Sequence, residues 1–249
     1  MKLTVSVVIP TYNESRDIAK CLDSLMRQTI MPNEIIVVDN NSTDNTAEIA
    51  STYKLVRIIK EKQKGITYAR TAGFNAAKCD IIARIDADTI ACDIWIESII
   101  DKFSKADESL GGITGKVAVR ELSPSNTFMF SPIHFLWRKL GDIVIHPTVG
   151  KIMSGHNMAI RKSVWDKISH LVHLGDKDIN EDVDLSLFVK RFGKVEYCHK
   201  MLAKTRMVEM FLNTSKIKRY ARANRVTFKK HMDLDRKNQI PRLIKERKV

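Results

Sequence analysis

The chain has 249 residues, 44% hydrophobic and 29% charged, which is enough for one large domain with a proper core. No apolar run of about 18 residues occurs, the four cysteines (Cys21, Cys79, Cys92, Cys198) form no CxxC pair, and MKLTVSVVIP enters a strand-like pattern at once. These features speak against a membrane span, a zinc or disulfide framework and a signal peptide, and lead us to expect reduced thiols in a cytoplasm. The formal net charge of +13 is uneven: residues 1–199 hold 26 basic and 25 acidic residues, residues 200–249 hold 16 and 4. A balanced body with a basic tail suits an anionic partner such as acidic lipid heads, a phosphate-bearing substrate or nucleic acid; a solvated helix face is the plainer reading.

VSVVIP (5–10) is a β-branched run ended by proline, the pattern of a buried strand. Asn13 or Ser15 can cap the helix that follows, where Ile18, Leu22, Leu25 and Met26 form one stripe. EIIVVD (34–39) is a second buried strand, followed by the turn-rich NNSTDNT and a short helix through Ala47 and Ala50. LVRII (55–59) reads as a third strand, and Gly65 precedes a small-residue helix with Ala69, Ala72, Ala76 and Ala77. DIIARI (80–85) is a fourth strand running into Asp86. Ile96, Ile99, Ile100 and Phe103 mark another helix, residues 111–120 a glycine-interrupted strand, and residues 126–140 a further helix. Residues 152–165 read as strand, turn, strand and helix start. A helix follows Glu181 and ends at Gly193, a strand resumes over Val195 to Tyr197, and a basic helix is expected from about Met210 to Met232.

Alternating strands and helices mean an α/β domain with a mainly parallel sheet, whose ligands bind outside the C-terminal strand ends. Pro10 to Glu14, Asp39 to Asp44 and Asp86 to Asp88 all fall there. In RIDADT (84–89) extended chain puts Asp86 and Asp88 on one face, where two ionised carboxylates suit Mg²⁺ or Mn²⁺ and hence a phosphorylated ligand; the alternative is a pair of surface turn caps. Asp39 can accept from a ribose hydroxyl or base N–H, or cap its own turn. Tyr12 can stack on a base or cover the sheet edge. Arg70 can bind a diphosphate near a helix start, or form a surface salt bridge. Glu181 and Asp182 open a helix capped by Asn180; the macrodipole accounts for them, as does a general base aimed into a cleft. The absence of GxGxxG and GxxxxGK[ST] counts against a dinucleotide oxidoreductase and a P-loop ATPase.

VVIPTYNE, VVDNNSTDNT, KGITYARTAGFNAA, IARIDADT, GHNMAIRKSVW and NEDVDLSLFVKRFGKV occur in this order over roughly residues 3–200. Together they resemble the inverting nucleotide-sugar glycosyltransferases of family 2 type, with the GT-A fold. The resemblance implies a Rossmann-like central sheet flanked by helices and a transferase domain over 1–206, and the tail's charge and helical pattern lead us to expect a basic amphipathic helical extension over 207–249. It implies that Pro10, Thr11, Tyr12 and Glu14 line the nucleotide pocket, that Asp39 contacts uracil or ribose, and that Arg70 lies near the base and diphosphate. Asp86 and Asp88 would form the D-x-D site, Asp88 the closer ligand to Mg²⁺ or Mn²⁺. Gly155 and His156 would flank the donor sugar and acceptor. Asp182, paired with Glu181, would be the general base of a single displacement from a UDP-sugar to a saccharide or lipid-linked saccharide hydroxyl.

The chain departs from the family pattern in three places. Thr71 stands where asparagine is usual after the arginine. The Q-x-x-R-W motif of polymerising members has its counterpart in KIKRY (216–220), leaving Arg219 and Tyr220 for acceptor or diphosphate. The metal-binding histidine of some members is replaced by Thr205 or Arg206, His199 being too early. The basic tail is expected to hold the protein at the anionic inner face of a plasma membrane, with nucleic acid a less suitable partner. The rival readings are a polyprenyl-phosphate sugar transferase, disfavoured by the Glu-Asp pair, and a non-catalytic nucleotide-sugar or polyanion-binding module.

Overall fold

The computed structural model describes residues 2–120, 151–206 and 214–237. The helix expected over 126–140 and the first residues of the tail lie outside the described residues. Among the described residues eight strands form one sheet in the order β3-β2-β1-β4-β7-β6-β8-β5. They are β1 (Val5–Thr11), β2 (Glu34–Asp39), β3 (Val56–Lys60), β4 (Ile81–Arg84), β5 (Ile90–Ala91), β6 (Leu110–Val119), β7 (Met158–Arg161) and β8 (Lys194–Thr205). The described helices are α1 (Ile18–Met26), α2 (Thr46–Ser51), α3 (Ile66–Ala76), α4 (Trp95–Ser104), α5 (Lys162–Ile168), α6 (Glu181–Lys190) and α7 (Thr214–Arg236).

The first half is a parallel β-α repeat, with β1 paired to β2 and β4 and β2 paired to β3. In the second half β7 is antiparallel to β4 and β6, and β5 is antiparallel to β8, while β6 and β8 run parallel. Strand alternation splits the core in two. Val5, Val7, Ile9, Ile81 and Ala83 pack with the α1 and α4 stripes, and Val8, Ile36, Val38 and Ile82 pack with α3, α5 and α6. Ile18, Leu22 and Leu25 are fully buried, each contributing roughly 1.5–3 kcal/mol over exposure. Close contact explains the small residues of α3: a Cβ at Gly73 would sit 2.3 Å from Val8 Cγ1.

Several elements differ from expectation. Helix α1 starts only at Ile18 and has no side-chain cap, because Asn13 instead adopts left-handed backbone (φ 54°) and its Oδ1 accepts from Thr43 N at 2.8 Å, joining two loops. β8 is twelve residues long, and the two-residue β5, unforeseen, exists through its pairing with β8. Asn180 does cap α6, accepting from Asp182 N at 3.1 Å and Val183 N at 3.4 Å. No described helix is long and apolar enough to cross a membrane.

Candidate active site

The C-terminal ends of β1, β2 and β4 open into a cleft of about 340 Å³ lined by Pro10, Thr11, Tyr12, Glu14, Asn40, Lys64, Asp86, Asp88 and His156, among others. The strands set this geometry, since parallel neighbours deliver their terminal loops to one edge. Asn40 holds the wall in place: its Nδ2 donates to Glu61 O (2.9 Å) and Gln63 O (2.7 Å), and its Oδ1 accepts from Gly65 N (2.7 Å). Asp39 lies one residue outside the lining, buried, with Oδ1 accepting from Ser42 N at 3.1 Å. Lys64 Nζ donates to Tyr12 Oη at 2.8 Å and sits 4.4 Å from the ring centroid, fixing the ring over the cleft.

Behind the cleft lies a residue that motif reading passed over. Arg84 is the last residue of β4, faces the α3/α6 layer and is 2% exposed. Its Nη1 donates to Glu181 Oε1 (2.8 Å) and Oε2 (2.9 Å), and its Nη2 donates to Asp86 Oδ1 (3.1 Å). Asp182 Oδ1 lies 3.4 Å from Nη1. One guanidinium thus separates the D-x-D motif from the Glu-Asp pair. The available signal was an arginine inside an otherwise apolar strand, a place where charge occurs only when paired.

Arg70 lies on α3, away from the cleft lining. Its guanidinium is fully buried and Nη1 donates to Glu181 Oε2 at 2.6 Å and Glu181 O at 3.1 Å, so its charge is directed at Glu181. Gly155 brings backbone against the same network: its N–H donates to Asp182 Oδ2 at 2.8 Å, and a Cβ there would lie 2.6 Å from Arg84 Nη2. His156 Nδ1 is 2.8 Å from Asp86 Oδ2.

The electrostatics follow from these contacts. Burial opposes ionisation of Asp86, but Arg84 and then His156 hold it well below the usual carboxylate range. Burial would lower His156, yet the Asp86 carboxylate pushes it up to about 9, so it is cationic at neutral pH. Glu181 is lowered against burial by Arg84 and Arg70. Asp182 receives the weaker share of Arg84, and burial together with the Glu181 charge pushes it up to about 7. Glu14, in the cleft wall, is raised to about 7 by burial and by the charge of Asp88.

Asp88 Oδ1 accepts from Thr205 Oγ1 (3.0 Å) and Thr89 Oγ1 (3.1 Å). Thr205 therefore stands at the acidic pair, where a histidine was sought. Asp86 uses both oxygens in ion pairs, whereas Asp88 Oδ2 has no hydrogen-bond donor among the described residues. The hard carboxylate oxygens of Asp88, with Asp86 and Glu14 in the same cleft, fit a divalent cation held chiefly by Asp88.

A second cluster ties α7 to this region. His173 Nδ1 and His231 Nε2 each lie 2.7 Å from Asp184 Oδ1, and all three ligand atoms fall within 4.8 Å of one another, the spacing of a metal site. Arg191 Nη1, which can only donate, lies 2.7 Å from His231 Nδ1. Nδ1 therefore accepts and Nε2–H donates to Asp184, which makes the cluster a hydrogen-bonded clamp; a metal on Nε2 would turn an Nδ1–H against the guanidinium. Asn180 Nδ2 to Asn224 Oδ1 (2.7 Å), Asn180 N to Thr227 Oγ1 (2.9 Å) and a Lys230–Asp176 ion pair extend it. Tyr220, 46% exposed, has its phenol pKa raised by burial and by the Asp182 charge; Arg219 beside it is exposed.

Residues 6–169 match the model of glycosyl transferase family 2. The chain belongs to that family. The match ends before Glu181, so the role of the Glu-Asp pair rests on geometry. Glycosyltransferase GlyG of Streptococcus pneumoniae is 32% identical over 112 residues, covering 43% of this chain and 37% of that protein, so the chain spans under two fifths of its relative. Among solved structures, a mannosyltransferase from Pyrobaculum calidifontis in complex with GDP-Man and Mn²⁺ matches with a TM-score of 0.59 at 18% identity, covering 83% of this chain and 58% of that one. Glucosyl-3-phosphoglycerate synthase from Mycobacterium tuberculosis, in complex with Mn²⁺, UDP-Glc and phosphoglyceric acid, gives 0.59 at 20%, covering 82% and 72%. At these identities the likeness is one of fold, and the fold is that of the GT-A glycosyltransferases.

Proposed function

We propose that this family 2 member is an inverting glycosyltransferase that moves a sugar from a UDP-linked donor to a hydroxyl of a saccharide or lipid-linked saccharide. The observation that carries this reading is Asp182: a carboxylate oriented by Gly155 N–H, pushed up to about 7, one guanidinium away from the D-x-D aspartate Asp86. A base with a pKa near the working pH is suited to removing a hydroxyl proton.

In this mechanism Pro10, Thr11 and Tyr12 line the nucleoside subsite, with Asp39 and Asn40 shaping its wall. Asp182 accepts the acceptor's proton while the acceptor oxygen bonds to the anomeric carbon from the face opposite the diphosphate. The anomeric carbon–oxygen bond to the diphosphate breaks, the nucleoside diphosphate leaves with that electron pair, and the configuration inverts. His156, cationic beside Asp86, and Gly155 border the transfer zone. Arg84 and Arg70 hold Glu181 ionised, and Glu181 in turn sets the field at Asp182. Arg219 and Tyr220 form the acceptor side. Mg²⁺ or Mn²⁺, held by Asp88 with Asp86 adjacent, would supply charge neutralisation for the diphosphate.

The test is nucleotide release and sugar transfer across a panel of UDP- and GDP-sugars, with and without Mn²⁺. A UDP-sugar that is turned over only with the metal supports the reading. No turnover and no donor-induced thermal stabilisation with any nucleotide sugar would contradict it.

A further inference from the structure

Helix α7 has two faces of different chemistry. Tyr220, Asn224, Thr227, His231 and Leu234 share the inner face, where Asn224, Thr227 and His231 bond to Asn180 and Asp184 on either side of Asp182. At 100° per residue, Lys218, Arg222, Arg225, Lys229, Met232 and Arg236 fall within about 40° of one line on the opposite side. All six are exposed, Met232 to 48%. The row runs roughly 27 Å along the helix.

Among the described residues the only acid paired with this row is Asp178, 4.0 Å from Arg222 and itself largely exposed. Asp233 flanks the row without joining an ion pair among the described residues. Cations three and four residues apart repel and weaken a helix, so local helix stability does not explain the row. The clamp on the inner face holds the helix in spite of it.

The geometry points to this row as the surface by which the protein adsorbs on a bilayer containing acidic phospholipid. A straight line of five cations meets a flat anionic surface along its whole length, and the thioether of Met232 among them suits the boundary between headgroups and acyl chains. Single-stranded nucleic acid is bound on exposed aromatic rings, and the exposed ring of this helix, Tyr220, lies on the other face. Adsorption through the outer face leaves the inner face on the first turn of α6, which carries Asp182, and so holds that end of α6 near the bilayer. The inference goes beyond the transfer reaction and stands apart from it: its failure would leave the transfer reading intact.

The experiment is co-sedimentation of the full chain with phosphatidylcholine vesicles with and without phosphatidylglycerol, for the wild type and for Arg222→Gln/Arg225→Gln/Lys229→Gln. The wild type is expected to bind only the anionic vesicles and to be released by 1 M salt, where screening acts within about 3 Å. At about five-fold per charge, the triple variant binds roughly 100-fold more weakly, with its thermal midpoint and donor-induced stabilisation kept. Binding that ignores phosphatidylglycerol, or a triple variant that binds anionic vesicles like the wild type, would overturn the proposal. So would tighter binding to single-stranded RNA than to anionic vesicles at the same salt.

Discussion

Arg84 and Asp182 form an unequal pair: Nη1 is 3.4 Å from Asp182 Oδ1 but 2.8 Å from Glu181 Oε1. The guanidinium that could have pinned Asp182 as a permanent anion is drawn to its neighbour. Asp182 is thereby left able to take a proton near neutral pH, while Glu181 is held ionised.

Removing that guanidinium takes a cation from three acids at once. Arg84→Met leaves Glu181, Asp182 and Asp86 without their shared cation, and loss of one partner from a buried ion pair costs roughly 3–5 kcal/mol. Urea unfolding should report a loss of that order. Arg84→Lys retains charge without the fork and should lose less stability but still slow transfer.

The pH dependence has a definite sign. In the proposed reaction Asp182 acts when ionised, so transfer should rise as pH increases through about 7. The Glu181 charge is one cause of that raised value, so Glu181→Gln should move the acid limb to lower pH. It also frees Arg84 for Asp182, which acts in the same direction. Rate profiles between pH 5.5 and 9 read both.

Gly155 is fixed by contact. A Cβ there would lie 2.8 Å from Asp182 Oδ1 as well as against Arg84. Gly155→Ala should cut kcat at least ten-fold while changing the donor dissociation constant much less, measured by steady-state kinetics alongside calorimetry.

The α7 clamp should loosen in acid. Burial lowers His231 below its ordinary value, so its contribution is present above the unfolded pKa and is lost as pH falls below that range. Asp184, held down to about 2 against burial by His173 and His231, contributes above its ordinary value near 3.8 and loses that contribution as pH falls toward 2. Protection of the Thr214–Arg236 amides, taken relative to their intrinsic exchange rate at each pH, should therefore fall as pH drops below the ordinary histidine value of 6.5. Asp184→Asn should give fast exchange in α7 already at pH 8.

The first half of the fold was legible because β1, β2 and β4 are short, largely apolar runs ending in polar residues; Asp86 and Asp88 follow such a run, and Asn180 stands in a local helix-capping pattern. Arg84 was written in the same six-residue stretch, yet its meaning depends on Glu181, 97 positions away. The Asp184 clamp likewise joins residues 11 and 47 positions apart, and no local spacing announces it. Arg70 read as a diphosphate ligand from its place at a helix start; packing turned it instead toward α6. Strand β5 carries almost no signal, since two residues become a strand only when β8 lies beside them.

The most direct measurement is sugar transfer by Asp182→Asn, with the donor-induced shift in thermal midpoint recorded on the same protein. The account predicts that transfer falls by about 10²- to 10⁴-fold while the donor still stabilises the fold as it does the wild type. Transfer at close to the wild-type rate would contradict it.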